Sequence, residues 1–145
     1  MKLRVLILIN VVLLAWSCGG EATDLAMAEF IGGWEVDLDR TIERAKDSPK
    51  YDAANAEDVP ETIRKLMSMM KIEISETEIV YLRGAKKQAL PYEFKSADPN
   101  SVTVTVHNGD EQANLVFSWV DEGRMNFKSS VSDDMNYYVW LRTEG

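Results

Sequence analysis

The chain has a single cysteine, Cys18, and a single histidine, His107, among 145 residues. One cysteine cannot close an intramolecular disulfide. One histidine, placed by alternation on the outer polar face of its strand beside a turn, cannot supply the base of a Ser-His-acid or Cys-His arrangement. Zinc sites draw on several His or Cys, so neither residue points to a metal. No glycine-rich phosphate loop is present. The acidic pairs Asp121-Glu122 and Asp133-Asp134 lack calcium-loop spacing and read as solvated turns. Positive charge is also scarce, with 16 Lys+Arg against 24 Asp+Glu and a net charge of −8. Setting aside Lys2 and Arg4 leaves 14 − 24, or −10. That balance excludes the basic footprint of a nucleic-acid binder and argues against adhesion to anionic lipid through net charge. Neither a cofactor nor a metal is expected. The enzymatic alternative is an uncharacterised hydrolase with two carboxylates converging across a cavity mouth.

Only one long apolar run occurs, Val5 to Trp16, and it follows a short positive segment, Met1-Lys2-Leu3-Arg4. Twelve helical residues rise about 18 Å, well short of the ~30 Å hydrocarbon core, so the run predicts a secretory signal rather than a membrane span. Leu14-Ala15-Trp16-Ser17-Cys18-Gly19-Gly20 then resembles the lipobox of bacterial lipoproteins, with Ser17 just before the cysteine and Ala15 two residues earlier. The resemblance implies that Cys18 is lipidated and becomes the mature N-terminus, since two acyl chains hold a protein firmly to a bilayer. Residues 1–17 are therefore expected as signal peptide, 18–29 as lipidated cysteine and tether, and 30–145 as a folded domain in the bacterial cell envelope, outside the cytoplasm.

From residue 32 the period is two. Trp34, Val36 and Leu38 alternate with Glu35, Asp37 and Asp39, the pattern of a half-buried strand. Asp39 is placed to cap a short helix through Thr41 and Ala45, and Asp58-Val59-Pro60-Glu61 to start a second. Ile63, Leu66, Met67 and Met70 follow at helical spacing. That stripe reads either as core laid on a sheet or as an adaptable lid. Seven more strands are then expected, including Leu90/Tyr92/Phe94 with Pro91 at an edge or bulge, Val102/Val104/Val106, and a last strand with Tyr137, Val139 and Leu141 inward. Asn108-Gly109 is a strong hairpin signal. On the last strand Tyr138 and Trp140 fall opposite Val139 and call for a cover, for which the helical insertion is the candidate. An antiparallel meander of about eight strands hides its edges by closing into a small barrel, so the fold class is mainly β with helices inserted between strands 1 and 2.

Gly32-Gly33-Trp34 at the head of the first strand resembles the G-x-W signature of lipocalins and their calycin relatives. The inserted helices resemble the arrangement in fatty-acid-binding proteins. The resemblance implies that Trp34 closes one end of the barrel beneath a basic residue near the last strand, which makes Gly32, Trp34 and Arg142 the closure residues. It implies a non-catalytic domain with a small apolar ligand or lipid among Trp34, Val36, Tyr92, Phe94, Phe117, Trp119, Phe127 and Tyr137. The alternative is that these side chains fill the barrel, leaving a scaffold for an envelope protein partner.

Overall fold

The structure, a computed structural model, describes residues 26–47, 61–132 and 136–144. After a helical turn at residues 26–28 come β1 (Gly32–Val36), α1 (Leu38–Lys46), α2 (Glu61–Ser68), β2 (Met70–Ile74), β3 (Glu78–Arg83), β4 (Lys86–Asp98), β5 (Ser101–Asn108), β6 (Glu111–Asp121), β7 (Arg124–Ser129) and β8 (Val139–Arg142). The strands pair in chain order, each antiparallel to the next, and β8 pairs with β1 to close the barrel. Two-residue loops set the register of three hairpins: Arg83 faces Lys86, Asn108 faces Glu111 and Asp121 faces Arg124. Gly84, Gly109 and Gly123 supply the positive φ that such turns require.

The inner face is read directly from alternation. On β5, Val102, Val104 and Val106 are buried between half-exposed Ser101, Thr103, Thr105 and His107. On β2, Met70, Ile72 and Ile74 are buried between Lys71 and Glu73. Trp34, Phe117, Met125, Phe127 and Trp140 complete one continuous interior cluster. Each buried large side chain contributes about 1.5–3 kcal/mol of transfer free energy.

Several expectations give way to tertiary pairing. The first strand ends at Val36, so the cap of α1 is Asp37, whose carboxylate accepts from the Arg40 N–H, and not Asp39. Leu38 is consequently the first helical residue. The apolar stripe assigned to the second helix is cut at Ser68, where α2 ends. Met70 is the first residue of β2 and buried in the core, so it belongs to the sheet and not to a lid. On β8 the inward residue is Trp140, opposite Val36 and Met125, while Tyr137 precedes the strand and lies outside the core cluster. It is Val139 that lies toward α1: the Thr41 hydroxyl accepts from the Val139 N–H at 3.0 Å and sits 3.4 Å from its carbonyl. Where β1 leaves the sheet, a helical side chain thus continues the ladder. Met27, within the segment expected as tether, is buried in the same core as Phe30.

Pro91 stands at a local edge: β3 pairs with it on one side, and β5 does not on the other. Residues 86–91 of β4 pair with β3, and pairing with β5 starts at Tyr92 opposite Val106. The Tyr92 N–H bonds to Thr77, so the adjacent position would donate toward β5. Proline has nothing to donate there, and the β4–β5 ladder ends.

Candidate functional site

The two ends of the barrel are built differently. One carries the start of β1, the turns after β2, β4 and β6, and the end of β8. Here the helical turn before β1 folds Phe30 against Trp119, with rings 4.8 Å apart and stacked, and against Phe117 at 5.7 Å. The Trp34 indole N–H donates to the Phe30 carbonyl at 2.9 Å. The Arg142 guanidinium lies 4.6 Å from the Trp34 ring centroid and 5.9 Å from that of Trp119. It donates to the carbonyls of Ile31 and Glu29. Gly32 has φ +136, a conformation side chains rarely adopt, and a Cβ there would lie 3.7 Å from Arg142. Gly32, Trp34 and Arg142 therefore meet in one aromatic, cation-capped closure.

Toward the other end the interior is hollow. A cavity of about 230 Å³ is lined by Ile72, Ile79, Leu90, Leu115, Phe117 and Phe127, with Tyr81, Gln88, Ser129 and Ser132 above them. A larger opening of about 580 Å³ shares Gln88, Leu90, Leu115 and Ser129 with it and extends along Val106, Asn108, Glu111 and Val131. The four shared residues make the two spaces neighbours. The opening lies where β4 and β5 have parted beyond Pro91, between the first half of β4 and the β5–β6 hairpin. Small side chains explain the hollow: Ala113 faces Val106 across the strands and Ser129 faces Leu115, where the closed end has rings. Together the spaces reach the several-hundred-Å³ scale of small-molecule sites, with an apolar floor and a few polar groups at the mouth.

Tyr81 is the titratable group in the inner cavity whose proton affinity is perturbed. Burial raises its pKa, the nearby Tyr138 adds to this, and Arg83 offsets part of it. It is a neutral phenol there at physiological pH.

Of the residues expected to line an apolar site, Phe117 and Phe127 border the cavity. Trp34 and Val36 are packed in the core. Tyr92 and Phe94 pack against that core, and the Tyr92 hydroxyl donates to Ser75 in the β2–β3 turn. Trp119 belongs to the closed end, donating its indole N–H to Glu29. In the candidate lid, Met67 packs against the core and Leu66 is half-buried, while the side chain of Ile63 lies outside the described residues. Cys18 and Asp133-Asp134 lie outside them too. Ile72, Ile79, Leu90 and Leu115 were legible as strand residues, but nothing in the alternation said that their space is left open. His107 is half-buried on the outer face of β5, its Nε2 3.9 Å from Glu93. Among the described residues no three His, Cys, Asp or Glu converge as a metal site, and no helix is long and apolar enough to cross a membrane.

The fold and site together define an eight-stranded antiparallel barrel, plugged at one end and, among the described residues, open at the other, consistent with a lipocalin-like fold. No family model, curated protein or solved structure matches the chain.

Proposed function

We propose that this chain is a non-catalytic, lipocalin-like carrier of a small apolar or amphiphilic molecule, held to a bacterial envelope membrane by acyl chains on Cys18. The observation that carries the binding half is the pair of adjoining hollows that reach from Phe117 and Phe127 out to Val131. Its polar groups are few and lie at the mouth, as suits a ligand that enters with its apolar end first. The Arg142–Trp34 stack supports the lipocalin-like reading, because it pre-forms the closed end independently of any ligand. The lipobox-like stretch around Cys18 supports the anchor.

Two experiments test these halves separately. A naturally fluorescent polyene fatty acid, titrated into the purified protein, is expected to gain intensity and saturate at one equivalent. Leu115 borders both spaces, so Leu115→Trp fills their junction and is expected to weaken that binding by about tenfold or more, with the far-ultraviolet circular dichroism unchanged. Absence of saturable binding to the parent protein would overturn the carrier reading. For the anchor, Cys18→Ser is expected to release the protein from membranes and remove the acyl mass. A variant that stays membrane-bound without that mass overturns it.

A further inference from the structure

The wall of the mouth made by the β3–β4 hairpin changes character in steps. Ile79 and Leu90 face each other deep in the cavity, Tyr81 and Gln88 come next, and Arg83 and Lys86 face each other at the rim. All six share the inner-face register. Arg83 is also opposite Met70, which is buried in the core, and Tyr81 is opposite Ile72. The hairpin therefore runs from aliphatic through neutral polar to cationic along one face of two strands. Both cations are exposed, and neither is ion-paired among the described residues. The facing wall ends differently, in Asn108 and Glu111.

We propose that Arg83 and Lys86 form a headgroup subsite, which selects a single-chain amphiphile with an anionic carboxylate or phosphate head and seats it tail-first in the cavity. This rests on the carrier reading and adds the class of ligand and its orientation to it. The net charge of the chain opposes any anion at long range, but exposed charges beyond roughly 8–10 Å are screened at physiological salt. A head within hydrogen-bonding reach meets the local pair instead. The guanidinium offers a planar fork suited to a carboxylate or phosphate, and the lysine a mobile point charge. Glu111 on the far wall repels the same head and so favours the hairpin side.

The test compares the polyene fatty acid with its methyl ester, which keeps the tail and loses the charge, and with a lysophospholipid bearing a terminal phosphate monoester. Binding is measured to the parent protein, to the double variant Arg83→Gln/Lys86→Gln, and to Glu111→Gln. The double variant is expected to weaken the carboxylate or the phosphate ligand by about tenfold or more, the effect of losing a charge-assisted contact, and to leave the ester within about twofold. Glu111→Gln is expected to tighten the anionic ligand. Whichever anion loses more affinity in the double variant identifies the head. Equal effects on acid and ester, or none on either anion, overturn the subsite while leaving the carrier standing. Failure of all three ligands to bind the parent protein overturns both. The substituted side chains are exposed, so an unchanged unfolding midpoint is expected to accompany any change in affinity.

Discussion

At Arg142 a single guanidinium serves both rings and backbone. It covers Trp34, approaches Trp119, and donates to two carbonyls of the segment that plugs the barrel. The pairing follows from register: Arg142 is directly opposite Trp34 on neighbouring antiparallel strands, so both side chains leave the sheet on the same side. Arg142→Met keeps the stem and removes the charge and the donors. It is expected to destabilise the domain by about 1–3 kcal/mol, read as a lowered urea midpoint followed by tryptophan emission. Gly32→Ala probes the same corner through the backbone. With φ at +136 the added methyl is strained wherever it points, and a loss of roughly 1–3 kcal/mol is expected in the same assay.

At the scale of elements, α1 is fixed to the barrel by two side chains. Thr41, almost fully buried, accepts from the Val139 N–H where β1 ends, while the Val139 carbonyl accepts from the Asp37 N–H. Thr41→Val leaves the Val139 N–H buried and unpaired, so a loss of about 1–3 kcal/mol is expected, with Thr41→Ser restoring most of it. Asp37 caps the helix and receives the Arg124 Nε–H at 2.7 Å, which ties α1 to β7. Burial tends to raise the Asp37 pKa. The hydrogen bonds from Arg124 and the Arg40 N–H, with the charges of both arginines, outweigh this and hold it below the ordinary 3.8. A carboxylate with a lowered folded pKa contributes stability above its unfolded value, about 3.9, and loses it as pH falls through the folded value. Asp37→Ala is therefore expected to cost about 1 kcal/mol at pH 7. The gap should close below about pH 4 in denaturant titrations run across that range.

The same elements mark where pattern alone stops being informative. Val102, Val104 and Val106 alternate with polar residues, so their strand and its inward face follow from the period. The final strand offers Tyr138, Val139, Trp140 and Leu141 in succession, and an apolar run has no parity. Its inward face is settled by Val36 and Met125 facing Trp140. Asp37 fits the strand alternation as well as a cap, and it becomes the cap because β1 ends at Val36 and Thr41 reaches Val139. Met70 suits a helix stripe or a strand equally, and it becomes a strand residue because Ile72 and Ile74 extend it along β1. The cavity is a product of facing residues from different strands, Ala113 with Val106 and Ser129 with Leu115. A linear reading sees large side chains along each strand but not which heights of the barrel they leave empty.

Over the whole molecule, the end at which the described chain begins and the mouth lie opposite each other. The chain enters the described structure at Ala26, beside the Phe30 plug of the closed end, while Gly84 and Gly109 mark turns at the open end. Cys18 precedes Ala26 by eight residues. A random-coil chain of eight residues averages roughly 16 Å end to end. The eight residues of β5 rise about 27 Å along the strand, which at a barrel tilt of 35–45° corresponds to roughly 20 Å of height. With Cys18 acylated, the average leash is shorter than the barrel it would have to pass around. Under the proposed anchor, the closed end is therefore expected toward the anchoring leaflet and the mouth away from it, with ligand exchange across the compartment. The proposed acylation would block the thiol of Cys18, the one cysteine in the sequence, so a single introduced cysteine can report this orientation. Asn100→Cys in the turn after β4 and Ala85→Cys in the turn after β3 place a fluorophore at the closed and open ends, respectively. In vesicles containing nitroxide-labelled lipid, the label at position 100 is expected to be quenched several-fold more than that at position 85. Equal quenching would mean a freely tumbling barrel, and the reverse order would place the mouth on the membrane that carries the anchor.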